Sequence, residues 1–282
     1  MNTKKIKYRK IKNNAFGILI YSITALSTLP LIFILYYLTK MGISAISWEF
    51  FVSLPAPPGE VGGGISNALV GTLLLILWAM IFSVPTGIIL GIYLAETGKS
   101  RMANIARTAV ETLQGTPSIV IGIIVYLWVV LPMNGFSALS GSIALAIMML
   151  PIVAKSTEET LKLIPHAIKE ASLALGVPYY KTIIKVILPA GINGIVTGIL
   201  IAVSRVTGET APLLFTAFGN PFMSTDMMKP INSLPLLIFN YAGSPYKEWH
   251  EQAWGASFVL VAMVLLFNIS AKVITKKWKI KY

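Results

Sequence analysis

ISNALVGTLLLILWAMIFSVPTGIILGIYLA, residues 65–95, runs for 31 positions without an Asp, Glu, Lys or Arg. A helix that crosses the bilayer core needs about 20 mostly apolar residues, because each adds about 1.5 Å of rise. The stretch is long enough to span and too apolar to sit in water. Working outward from it, five further candidates appear, at 15–38, 118–131, 138–154, 191–218 and 253–274. The third and fourth spans in chain order, 118–131 and 138–154, are short and are separated only by the residues around Met133-Asn134-Gly135. They read as a tight hairpin on one membrane face. The expectation is an all-α integral membrane protein with six transmembrane helices.

The composition agrees. Of 282 residues, 55% are hydrophobic and 12% charged, where soluble domains carry about 25% charged residues. The mean hydropathy is +0.75. A soluble globule cannot hide that much apolar surface, which excludes a soluble enzyme, a disordered tail and a nucleic-acid binder. The net charge of +12 would otherwise point to nucleic acid, but in a membrane protein such an excess collects in cytoplasmic loops. There is no cysteine, hence no disulfide framework, thiol nucleophile or thiolate metal site. His166 and His250 fall far apart and on opposite membrane faces in this topology, so neither a metal nor a cofactor is expected.

Lys and Arg set the orientation. Six stand in the N-terminal tail (Lys4 to Lys12) and three between the second and third spans (Lys99, Arg101, Arg107). Five lie between the fourth and fifth spans (Lys155 to Lys185), and five at the C-terminal end (Lys272 to Lys281). These nineteen share one side, against Lys40, Lys229 and Lys247 on the other. Both termini are therefore expected in the cytoplasm. The first apolar run is longer than that of a secretory signal and reads as an uncleaved anchor. The chain divides into a basic tail (1–14), a peripheral first helix (15–38), an extracytoplasmic linker (39–64), a transmembrane core (65–275) with a cytoplasmic loop at 155–190, and a second tail (276–282).

Thr97-Gly98-Lys99-Ser100 looks like the end of a phosphate-binding P-loop. That motif needs a Gly where Tyr93 stands and a preceding strand where a membrane helix stands, so no ATP site is expected on this chain. Gly87 with Gly91, and Gly194 with Gly198, strip bulk from one helix face and read as packing devices.

Arg205-Val206-Thr207-Gly208-Glu209-Thr210-Ala211-Pro212 places two charges in the fifth span. Counted from Gly191, Arg205 lies roughly 21 Å along the helix, well inside the apolar layer. A charge there costs about 2.5–3.5 kcal/mol on insertion scales and usually marks a path or a pair. Arg205 and Glu209 are four apart and share a helix face. Pro212 has no N–H to return to Gly208, so the helix should kink or loosen, adding a freed carbonyl and the hydroxyls of Thr207 and Thr210. Two readings stay open. The pair is an internal salt bridge that satisfies itself, or it is an anion filter. Arginine presents a planar fork of donors to a tetrahedral oxyanion. A carboxylate beside it repels a bare anion but accepts a hydrogen bond from one that retains a proton, as phosphate does near neutral pH and sulfate does not. Lys155, at the expected cytoplasmic end of the fourth span, either receives the anion on exit or marks the membrane boundary.

The loop after that span is cut into helical lengths by Pro165, Pro178 and Pro189. Between the first two, HAIKEASLALG (166–176) is rich in Ala and Leu and closes on Gly176 as a helix stop. It is a docking helix or an ordinary solvated one.

The loop's spacing resembles the EAA loop of ABC importer permeases: Glu170-Ala171-Ser172, three residues, Gly176, nine residues, Val186, one residue, Leu188-Pro189. Ser172 stands where that pattern has Ala and Val186 where it has Ile. In that family the short helix sits in a cleft of the ATPase subunit, and the resemblance assigns coupling to Glu170, Ala171, Ser172 and Gly176. The fifth-span stretch is similar to the Arg-x-x-Gly-Glu-Thr-Ala-Pro-Leu segment of PstA-type phosphate-transport permeases. Residues 66–72, 115–122, 224–228 and 244–246 fit the same family. The resemblance implies a MetI-like, type I importer fold and inorganic phosphate as cargo. It implies a substrate pathway past Arg205, Glu209, Thr207, Thr210 and Lys155, with no catalytic residue. It further implies a cytoplasmic-membrane location and, as partners, a homologous second permease subunit, a cytoplasmic ABC ATPase dimer, an extracytoplasmic phosphate-binding protein and membrane lipid. The rivals are a permease for another oxyanion or small solute, a stand-alone secondary transporter or channel, and a membrane-embedded enzyme. The last would need a nucleophile, a metal or an acid/base pair where only Arg205 and Glu209 stand.

Overall fold

The computed structural model describes residues 3–60, 62–98 and 100–277. Lys99, Lys279 and Lys281, and with the last two most of the expected tail at 276–282, lie outside the described residues. Helix α1 (Thr3–Ser44) runs without a break through the basic tail and the first span. A short α2 (Trp48–Val52) starts on Ser47, whose hydroxyl accepts from the Phe50 N–H at 3.1 Å. It leads into α3 (Ser66–Glu96), which covers the uncharged stretch at 65–95.

The loop expected after α3 is a helix instead, α4 (Arg101–Gly115), capped by Ser100 accepting from the Ala103 N–H at 3.1 Å. It is too polar for a hydropathy reading to find, yet Ala103 and Val110 recur on one face and are buried. Pro117 ends it by holding Thr116 extended at ψ 132°. The chain then turns through 106° into α5 (Ser118–Val125), prolonged by a π turn over Tyr126–Val130. The third span expected at 118–131 is thus too short to cross alone. Counted with α4 as one bent crossing, it supplies the sixth span beside five continuous helical runs.

Asn134 (φ 53°) makes the hairpin turn, and a capping box between Ser137 and Ser140 starts α6 (Ala138–Lys162). This helix runs two turns past the expected end at residue 154. Next come α7 (His166–Ala174), α8 (Tyr179–Thr182), a π turn over Ile183–Ile187 and α9 (Leu188–Thr207). The fifth span therefore begins before Gly191, as a 29-residue run from Tyr179 to Thr207. Pro189 does not cut it. In the wider turn the Leu188 N–H donates to the Ile183 carbonyl, a register change that absorbs the donor Pro189 lacks. The span also ends early. The loosening expected near Pro212 is a full break after Thr207, followed by the single turn α10 (Ala211–Leu214). Helices α11 (Leu234–Ala242) and α12 (Lys247–Lys277) complete the fold.

The centre of the bundle is α6, packed against α3 on one side and α9 on the other, with Leu75, Leu145, Met149 and Leu213 fully buried. Glycines set the distances. A Cβ on Gly91 would stand 2.5 Å from Thr157 Cβ, and one on Gly198 would stand 2.0 Å from Ser156 Oγ. Such small positions let helices approach closely where lipid supplies no hydrophobic drive. Helix α1 lies outside this bundle and touches α12, with Tyr37 edge-on to Trp254 at 5.2 Å. At the opposite end from α7, the segment after α10 straps the helix tops together. Asn67 donates to the Asn220 carbonyl at 2.7 Å, Ala138 N–H to Lys229 O at 2.9 Å, and Leu234 N–H to Thr72 Oγ1 at 2.8 Å.

Candidate functional site

The depth of Arg205 follows from helix register. Gly194 meets Thr160 and Gly198 meets Ser156, so α9 climbs as α6 descends. Seven residues beyond Gly198 bring Arg205 level with Met149, close to the midpoint of α6. Parallel contacts of Ser83 with Met149 and of Gly87 with Val153 place the same level near the middle of α3. Arg205 thus stands level with the middle of α6 and α3, although it lies in the last turn of its own helix, whose limits differ at both ends from those expected.

Arg205 lies in the last turn of α9, and Glu209 follows the break. Arg205 Nε and Glu209 Oε1 are 3.9 Å apart, with the side chains 42% and 19% exposed. This is an ion pair without a hydrogen bond, because the helix that would align the two side chains stops between them. Arg205 has no second charged partner among the described residues. Its open face continues down α9 through Ile201 and Thr197, both exposed. A guanidinium at mid-depth cannot face lipid cheaply, so this face requires either water or a protein partner. Thr207 is buried and its hydroxyl donates to the Val203 carbonyl at 2.7 Å, which leaves it only acceptor capacity. Thr210 stands half-buried before α10 and caps it without a side-chain bond. Close packing fixes this corner, since a Cβ on Gly122 of α5 would come 2.7 Å from Pro212 Cα. Next to Arg205, the Ser204 hydroxyl is buried with no hydrogen-bond partner among the described residues. Nothing in the sequence singles Ser204 out.

Lys155 is not at the end of its helix. It lies roughly 9 Å below the Arg205 level, six residues along α6, and Nζ stands 3.6 Å from Glu111 Oε1 of α4. One turn on, Glu158 is buried and bound by Arg107 at 2.8 Å and by Lys162 at 2.5 Å. Arg107 also donates to Asn104 Oδ1 at 3.1 Å and to the Leu94 carbonyl at 3.3 Å. In the sequence Arg107 and Lys162 look like exposed loop cations. Their partner lies in the part of α6 that continues past the apolar run at 138–154.

The loop helix α7 presents two faces. Glu170, Ala171, Leu173, Leu175 and Gly176 are exposed, Leu175 at 84%. Ser172 points inward and shares a hydrogen bond with Thr182 at 2.9 Å. Gly176 takes a left-handed φ of +77°, its N–H donates to Leu173 O at 2.9 Å, and Val177 N–H donates to Ser172 O at 3.3 Å. This paired closure is a Schellman cap, and glycine is the residue that adopts it without strain.

A family model described as "Binding-protein-dependent transport system inner membrane component" matches residues 87–278. The chain is 44% identical over 277 residues to the "Phosphate transport system permease protein PstA" of Yersinia pestis, covering 98% of this chain and 94% of that one. It is 43% identical to the protein of the same name from Xylella fastidiosa, covering 86% and 85%. Among solved structures it superimposes on a chain of a bacterial alginate ABC transporter with a TM-score of 0.69 at 14% identity, over 96% of this chain and 97% of that one.

Proposed function

The chain belongs to the family of binding-protein-dependent transport system inner membrane components, and from that premise we propose how it moves its cargo. It is a multi-pass permease subunit of an ABC importer for phosphate, as its PstA relatives are named, and it does no chemistry on what it carries. It forms one half of a translocation path in the cytoplasmic membrane, with both termini in the cytoplasm. The second half is a homologous permease laid against the open face of α9. ATP is hydrolysed by a separate ATPase dimer that receives the exposed face of α7, around Glu170, Ala171 and Gly176, while Ser172 anchors the helix from behind. A phosphate-binding protein delivers cargo to the strapped outer end. The transmembrane core is the unit from residue 65 to about residue 275, with α1 as a peripheral addition.

The observation that carries this reading is Arg205 at mid-depth on an open helix face, held to Glu209 by contact too long for a hydrogen bond. A well-made internal pair would be shorter and covered. Here the guanidinium fork keeps free donors for the oxygens of a tetrahedral anion. The Glu209 carboxylate accepts a hydrogen bond from an anion that still carries a proton and repels one that does not. Lys155, farther toward the cytoplasm, offers the next cation on the way in. Alternating access then needs only that closure of the ATPase dimer displace α7 and, with it, the helices that frame Arg205.

Radiolabelled phosphate uptake in cells carrying the whole importer tests the site. Arg205→Ala is expected to abolish uptake at unchanged membrane abundance. Glu209→Gln is expected to keep uptake but to let sulfate compete. Wild-type uptake in Arg205→Ala would make the pair structural and withdraw it from the path.

A further inference from the structure

The last turn of α3 and the middle of α7 are 73 residues apart in the chain and meet at one polar cluster. Lys169 Nζ donates to Glu96 Oε2, and the Tyr179 hydroxyl donates to the same oxygen. Lys169 Nζ also lies 3.3 Å from Tyr179 Oη and 4.8 Å from the centroid of its ring. The side chains of Lys169 and Glu96 are 24% and 16% exposed, so water screens the pair only in part. Three elements are tied together here: the end of α3, α7, and the start of the helical run that becomes α9.

The two sides of α7 therefore have different work. Its outer side is bare. Its inner side is fixed to α8 by Ser172 and Thr182 and to α3 by Lys169 and Glu96. A push on α7 reaches α9, and thus Arg205, along the chain itself. Its chain route to α3 is far longer, back through α6, α5 and α4, and α3 otherwise meets this end of the bundle through apolar packing of Ile88, Ile92 and Ala95 around Leu161, Ile183 and Ile187. We propose that Glu96, Lys169 and Tyr179 are positioning residues that transmit displacement of α7 to α3, so that both flanks of α6 move together in the transport cycle. The inference rests on the reading of α7 as the element that an ATPase partner moves.

The test uses the complete importer, with both permeases, the ATPase and the binding protein, in proteoliposomes, reading phosphate uptake and ATP hydrolysis together. For Glu96→Gln and for Tyr179→Phe, the ATPase should co-purify with the permease as in wild type, and hydrolysis should continue. Phosphate moved per ATP should fall about fivefold or more, the lower end of free-energy coupling between sites. Glu96→Lys alone should be worse, and Glu96→Lys with Lys169→Glu should recover most of the ratio. An unchanged ratio in both single variants overturns the proposal. So does failure of the charge swap to recover anything at normal complex abundance, or loss of the ATPase from the Glu96→Gln complex, which would make the cluster a docking element. Failure of the wild-type chain to retain an ATPase is a separate result that would remove the reading of α7 itself.

Discussion

Lys169 shows how one half-buried cation can be made indifferent to pH. Burial by itself would push its ammonium down. The hydrogen bonds to Glu96 and Tyr179, and the attraction of Glu96, outweigh that and hold it above its ordinary value of 10.5. A group whose pKa is raised by folding contributes stability that is complete below the unfolded value and is lost as pH rises through the folded one. The whole window thus lies on the far alkaline side. The ratio of phosphate moved to ATP hydrolysed should stay flat from neutral pH to about pH 9, even where absolute rates change with the protonation of the cargo. A ratio that drops within that range, with the complex intact, would mean that another titrating group holds α7. Residues such as Lys169 were only partly legible beforehand. Arg205 and Glu209 stand out because an apolar run contains them. Glu96 and Lys169 look like ordinary solvated charges until the fold brings them together.

At the scale of elements, the close contacts around α6 predict where a single methyl group does damage. A Cβ on Gly91 meets Thr157 Cβ at 2.5 Å and the Ala154 carbonyl at 2.6 Å, neither of which is the far end of a flexible side chain. Gly91→Ala should therefore force α3 away from α6 at a cost of about 1–3 kcal/mol, the usual range for overpacking. Gly115→Ala meets nothing within 4 Å and serves as the control. Thermal midpoints of the two variants in detergent should separate clearly, with only Gly91→Ala below wild type. Equal midpoints would show that the interface yields. Long apolar runs made α1, α3, α6 and α12 readable as spans, and the four-residue glycine spacing made the packing readable as well. Helix α4 is hard to see in the sequence because it is polar on one face, and hydropathy averages over faces. The limits of the fifth span are illegible for a local reason. Pro189 reads as a breaker, while the π turn before it lets the helix continue. At the other end, the break falls after Thr207 rather than as a bend near Pro212.

For the whole molecule, the open face of α9 states what is lacking in one chain. Thr197, Ile201 and Arg205 form a stripe that runs to mid-depth and is exposed. Were it turned to lipid, Arg205 would cost about 2.5–3.5 kcal/mol on insertion scales and would have to reach for the interface. Placed between two permeases around a path, it faces water and cargo instead. The two arrangements differ in whether a polar reagent can reach Ile201. The chain has no cysteine, so Ile201→Cys introduces a unique thiol on this subunit, and a cysteine-free background need be made only in its partners. In the assembled importer a charged, membrane-impermeant thiol reagent should label this position, and the rate should change between nucleotide-free and ATP-trapped complexes as the path opens and closes. Saturating phosphate should slow the reaction, since the cargo would occupy the turn above. Ile89, exposed on α3 at 67%, supplies the comparison. Labelling of Ile201→Cys that requires an apolar reagent, with no dependence on nucleotide or phosphate, would place the stripe in lipid and move the path elsewhere in the assembly.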